Sequence, residues 1–128
     1  METIRDCIKR TAALLPAFYL EAHYQNVLAH LLEDTFEVTL ELPVPLKLSD
    51  GFLFGMGRID LFVKHRITGQ IFILELKANQ LFSARNLQKA TGQLDRYLTH
   101  YEHEATGVLV FFGLVNSVYK IIPYNKLP

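Results

Sequence analysis

Apolar and polar positions along the chain change period several times, and each change marks an element. "TIRDCIKRTAALL" carries an amphipathic helical pattern that Pro16 interrupts, since proline is comfortable only in a first helical turn. "AFYLEAHYQNVLAHLLED" follows, with Leu20, Tyr24, Val27, Leu28 and Leu31 at helical spacing and Glu21 at the margin of that stripe. The period then shortens. In "FEVTLELPVPLKL", Val38, Leu40 and Leu42 alternate with polar partners as in a half-buried strand, and Pro43 and Pro45 put it at a sheet edge or kink it as it ends. A turn signal at Ser49–Gly51 leads to a second strand through Gly57–Val63, "RITG" turns the chain again, and "QIFILELKA" is a third strand.

Ser83 is placed to cap a helix over "ARNLQKATGQLDRYLTHYEH", with the stripe Leu87, Ala90, Leu94, Tyr97, Leu98 and Tyr101. "GVLVFFGLV" and "VYKIIPY" add two strands. Helix, three strands, helix, two strands predicts an α/β (α+β) fold, a mixed sheet with helices packed against it. The 128 residues suit one domain, with no repeat or linker in view.

Half the residues are apolar and a fifth charged, enough for a core, and no apolar run is long enough to span a membrane. "METIRDCIKR" mixes acids and bases, unlike a signal peptide. The single Cys7 forms no internal disulfide and fits an intracellular, reducing compartment. Net charge is zero, so any contact with a polyanion must come from a local patch. Of His23, His30, His65, His100 and His103, none is paired at a zinc spacing.

Asp60, Glu75 and Lys77 interrupt the most apolar hairpin. If Arg66 to Gly69 form a four-residue loop, His65 faces Gln70 and Asp60 faces Glu75, with Lys77 on the same face as Glu75. Opposed Cβ atoms stand about 5 Å apart, and two carboxylates at that range destabilise a hairpin unless positive charge joins them. Lys77 offsets one charge. A divalent cation would offset the rest; the alternative is a solvated ion-pair ladder bridged by Lys77.

Asp60, fourteen intervening residues and Glu75-Leu76-Lys77 resemble the motif of the PD-(D/E)XK nuclease superfamily, with Ile59 in place of the proline. Glu21 to Tyr24 is similar to the Glu-x-x-Tyr of the GxxExxY subgroup, although Phe18 stands where that subgroup has glycine. Gly92 to Leu98 is similar to the Gln-Leu-x-x-Tyr helix that follows the Glu-x-Lys strand. The resemblance implies an αβββαββ restriction-endonuclease-like core and DNA hydrolysis with Mg²⁺ or Mn²⁺. Asp60, Glu75 and the carbonyl of Leu76 would hold the metal, with Glu21 acting directly or through water. Lys77 would orient or deprotonate the attacking water and stabilise the developing anion, and Gln93 would border the site. Lys89, Arg96, Arg58 and Lys64 would meet phosphates. The alternative is a silent nuclease fold used for binding or assembly.

A mean hydropathy of +0.15 is high for so small a domain, and "GFLFGMG" and "FFGLV" concentrate apolar residues near turns. Such patches predict a two-fold homodimer, or else fold back on the domain's own helices.

Overall fold

The computed structural model describes residues 3–16, 19–48, 50–80, 83–101, 104–113 and 119–124. Phe18, Ser49, His103, Leu114, Val115 and Val118 lie outside the described residues. Helix α1 (Ile4–Leu14) begins at a capping box, in which the Asp6 amide donates to Thr3 Oγ1 and the Thr3 amide to Asp6 Oδ2, both at 3.1 Å. It buries Cys7, Ile8 and Ala12 and ends just before Pro16.

Helix α2 (Glu21–Leu32) starts four residues later than the pattern implied and buries a rotated face: Tyr24, Gln25, Leu28, Ala29 and Leu32. Leu20 precedes the helix and is exposed, while Val27 and Leu31 are half-buried. A glutamine sits in this buried stripe because its side chain has a partner: Gln25 Nε2 donates to the Asp60 carbonyl at 3.2 Å.

Among the described residues five strands form one mixed sheet in the order β1 (Phe36–Lys47), β2 (Leu53–His65), β3 (Ile71–Ala78), β4 (Thr106–Phe112), β5 (Tyr119–Tyr124). Among these strands β3 and β4 run parallel and the other neighbours antiparallel; β3 and β4 are joined by the crossover helix α3 (Ala84–His100), which Ser83 caps by accepting from the Asn86 amide. The expected mixed sheet and element order are both present. β1 is an edge strand, and its prolines neither end nor break it: Pro43 and Pro45 pair in register with Arg58 and Met56. An edge tolerates them because one side of the strand needs no donors. β2 reaches back to Leu53, well before Gly57, so the β1–β2 hairpin is longer than expected.

Helices α1 and α2 cover one face of the sheet, burying Ile8, Tyr24 and Leu28 with Leu61, Leu74 and Leu76. Helix α3 covers the other, where Ala90, Leu94 and Tyr97 meet Val44, Ile59 and Ile73. β3 is therefore buried on both sides. Phe111 and Phe112 are also buried, so these two residues of "FFGLV" join the core, while Leu114 and Val115 lie outside the described residues. Among the described residues no helix is long and apolar enough to cross a membrane.

Candidate active site

The β2–β3 turn has the expected length: the His65 amide donates to the Gln70 carbonyl at 2.8 Å, and Leu61 pairs with Leu74. One more step on that register sets Asp60 against Glu75, but the ladder stops at Leu61. Beyond it the Asp60 side chain replaces a backbone partner, with Oδ2 accepting from the Leu76 amide at 2.8 Å. The Asp60 carbonyl, also outside the ladder, takes the Gln25 side chain described above. Both polar ends of Asp60 are thereby fixed, one by β3 and the other by α2.

Glu75 follows Ile73 along β3 and points to the α3 side, where its side chain is only 3% exposed. Its Oε1 lies 3.2 Å from Lys77 Nζ, and its Oε2 is buried with no hydrogen-bond partner among the described residues. Burial first, and the Asp60 charge second, push the Glu75 carboxyl up to about 8, against the pull of Lys77. Asp60 is also raised, chiefly by burial and in small part by Glu41, while the Leu76 amide, Lys77 and a side-chain hydrogen bond shared with Glu75 oppose the rise. Glu21, on the first turn of α2, is raised by desolvation and then by Asp60, while Lys77 lowers it. Three acids and one ammonium thus share one electrostatic neighbourhood, and negative charge there is undercompensated.

Lys77 is 19% exposed and held between two acceptors, Glu75 Oε1 and, at 3.0 Å, Gln93 Oε1. Gln93 Nε2 donates in turn to the Tyr97 hydroxyl at 3.1 Å. The motif helix therefore reaches the motif strand through a chain of side chains, Glu75–Lys77–Gln93–Tyr97. β2 packs closely on this helix, and a Cβ placed on Gly57 would stand 2.6 Å from the Tyr97 ring. Only glycine permits that approach.

Two adjoining clefts open here. One, of about 560 Å³, is lined by Arg58, Asp60, Gln93 and Tyr97. The other, of about 790 Å³, runs along α3 past Arg85, Lys89, Gln93 and Arg96. Lys89, Arg96 and Arg58 therefore lie with Gln93, as their positions implied, although Arg58 also faces Glu41 at 3.7 Å. Lys64 does not join them. It pairs with Ile71 at the turn end of the hairpin, beside Gly69, because four strand residues carry it away from Asp60.

Gln25, Arg85 and Tyr97 also belong to this neighbourhood, beyond the site residues to which the sequence points. Tyr97 was visible only as part of an apolar stripe and a motif. Gln25, a polar residue one turn after Glu21 on the same helix, was the available signal for a side chain reaching the site.

No curated protein matches the chain by sequence. Sixteen chains of solved structures match its fold. One is the crystal structure of SSO0001, with a TM-score of 0.61 at 20% identity over 81% of this chain. The chain spans about half of that protein, 49% of its length, and at this identity the likeness concerns the fold alone. A family model for the PD-(D/E)XK nuclease superfamily matches residues 1–121, while the narrower GxxExxY assignment has no support beyond its motif. The Asp60 and Glu75-x-Lys77 hairpin, the glutamine helix behind it and a match along nearly the whole sequence lead to one assignment: the chain belongs to the PD-(D/E)XK nuclease superfamily.

Proposed function

We propose that residues 1–128 form a single nuclease domain that hydrolyses phosphodiester bonds in DNA with the help of Mg²⁺ or Mn²⁺. One observation carries the reading: Glu75 keeps a buried, unpartnered carboxylate oxygen beside Asp60, with Lys77 as the cation between Glu75 and Gln93. An orphaned oxygen in an undercompensated acid pair is the donor set a hard dication fits. Asp60, Glu75 and the Leu76 carbonyl would hold it, with Glu21 directly or through water. When bound, the ion would neutralise phosphate charge and supply a more acidic water.

The chain's own residues have separate tasks. Asp60, tied to the Leu76 amide and to Gln25, keeps its carboxylate fixed without help from the ladder. Lys77, oriented by Glu75 and Gln93, presents an ammonium to the charge that develops on the phosphate. Tyr97 holds Gln93 and thereby Lys77. Arg58, Arg85, Lys89 and Arg96 line the clefts and bind the phosphates on either side of the scissile one.

Cleavage of labelled DNA in Mg²⁺ or Mn²⁺, abolished by EDTA and by Asp60→Ala, Glu75→Ala or Lys77→Ala, is the expected result. Full activity in Lys77→Ala removes the role given to the ammonium. One observation favours a second reading, a fold kept for binding or assembly: among the described residues no three His, Cys, Asp or Glu side chains are grouped as a metal site. Calorimetric titration of the wild type with Mn²⁺ separates the two, since a silent ion-pair cluster takes up no metal.

A further inference from the structure

The tip of the β1–β2 hairpin carries an unusual surface. Phe52, Leu53, Phe54 and Met56 are 63%, 51%, 51% and 59% exposed, on a domain that buries most of its other large apolar residues. The turn beneath them is well closed. The Leu48 amide donates to the Phe52 carbonyl and the Gly51 amide to the Leu48 carbonyl, each at 2.9 Å, while Asp50 Oδ1 accepts from the Phe52 amide. Gly51 supplies the positive φ of 88° that the turn needs. The hairpin is anchored beside the catalytic helix as well, through Gly57 against Tyr97 and Phe54 edge-on to His100.

This apolar tip adjoins the cationic clefts. Met56 and Gly57 line both of them, together with Arg58 in one and Arg85, Lys89 and Arg96 in the other. Exposed aromatic side chains next to a groove that attracts phosphates are the combination that binds unstacked bases. We propose that the hairpin tip is a wedge whose Phe52 and Phe54 stack on unpaired DNA bases next to the cleft. The domain then selects ends, flaps and splayed duplexes over continuous paired DNA. The inference rests on the nuclease reading for the identity of the polymer.

A second copy of the chain is the competing occupant. A two-fold contact centred on the tip would bring two sets of Arg85, Lys89 and Arg96 toward each other, with no ion pair to offset them among the described residues. A stable interface also needs about 800 Å² from each partner, more than a few side chains at a turn provide. DNA meets both the rings and the charges.

The test is binding by fluorescence anisotropy in EDTA, where no hydrolysis is needed. Its probes are a labelled splayed-arm duplex and a fully paired duplex of the same length. Wild type should prefer the splayed DNA by roughly tenfold, the size of a base-stacking contact. Phe52→Ala/Phe54→Ala should bind both as wild type binds the paired duplex, with a cooperative melt lowered by no more than the loss of the Phe54–His100 contact. Phe54→Trp, which keeps a ring, should retain the preference. Equal affinities in the wild type, or a preference that survives the double substitution, overturn the wedge. So does a dimer, seen by light scattering, that the double substitution dissolves while the DNA preference stays. Wild type that cleaves in Mg²⁺ without any preference overturns the wedge alone. Protein that shows the preference and its loss but cleaves nothing in Mg²⁺ or Mn²⁺ supports the wedge and removes the nuclease reading.

Discussion

Replacing Glu75 by glutamine should stabilise the metal-free protein at neutral pH, against the usual outcome of altering a buried polar residue. The side chain keeps its shape and loses its ionisation. A carboxyl raised from 4.5 to about 8 favours the protonated form in the folded state. Between those values the folded chain binds a proton that the unfolded chain has released, so stability falls as pH rises through that window and levels off above it. The full shift corresponds to roughly 5 kcal/mol, and to roughly 3 kcal/mol at pH 7. Glutamine also forgoes the charge of the Lys77 pair, which leaves a net gain of about 1–3 kcal/mol.

Thermal melts in EDTA measure it, at pH 5 and at pH 7.5, for wild type and Glu75→Gln. At about 4 °C per kcal/mol the variant should melt several degrees higher at pH 7.5 and close to wild type at pH 5. Millimolar Mn²⁺ should raise the wild type by mass action and leave the variant nearly unmoved. A variant that melts below wild type at pH 7.5 in EDTA would mean that the Glu75–Lys77 pair is a net stabiliser, and the undercompensated charge would be gone as an explanation.

Asp60→Asn retains an acceptor for the Leu76 amide and removes one of the repelling charges, so in EDTA at pH 7.5 it should also melt higher, by the equivalent of about 1 kcal/mol. Gly57→Ala puts a methyl against the Tyr97 ring and should cost about 1–3 kcal/mol in urea denaturation, with a fall in DNA cleavage larger than the lost folded fraction explains. Lys89→Ala and Arg96→Ala should each lower the slope of log K against log salt for DNA binding by about 0.9, with little change in melting temperature; unchanged slopes place the phosphates elsewhere.

Local patterns made most of this fold legible. Residue 135 minus its own number gives each partner in the β2–β3 hairpin, and the four-residue loop from Arg66 to Gly69 was enough to set that register. Ser83 and the stripe of α3 came through almost unaltered, because a strongly amphipathic helix needs only its own period. The α2 stripe was less well read. Its true face includes Gln25, and no periodicity places a glutamine inside until its partner, a carbonyl on another strand, is known. The length of β2 was hidden for a similar reason: Leu53 to Met56 are held by pairing with β1 and not by burial. Charge placement was legible where strand spacing governs it, as for Lys77, and misleading for Lys64, where the sign of a charge says nothing about which end of the hairpin it occupies.

The ordinary rules of the sheet fail together at one place. Leu61 belongs to the core beneath α1 and α2 while Ile59, two residues earlier, belongs to the core beneath α3, so the alternation of β2 breaks at Asp60. On the neighbouring strand the register passes from Leu40 opposite Leu61 to Leu42 opposite Ile59, and Glu41 between them has φ 53°, where non-glycine residues seldom sit. On the other side the β2–β3 ladder ends at Leu61. A strand that kept its alternation and both its ladders would have no need of a carboxylate to cap the Leu76 amide or of a helix glutamine to satisfy a carbonyl. Each irregularity costs stability, and all of them converge on a carboxyl that burial holds above its ordinary range. Structural convenience does not account for that coincidence, because a strand with regular alternation and an intact ladder would satisfy the Leu76 amide without a buried carboxylate. A fixed carboxylate beside Glu75 and Lys77, which the proposed nuclease site needs, accounts for all of them.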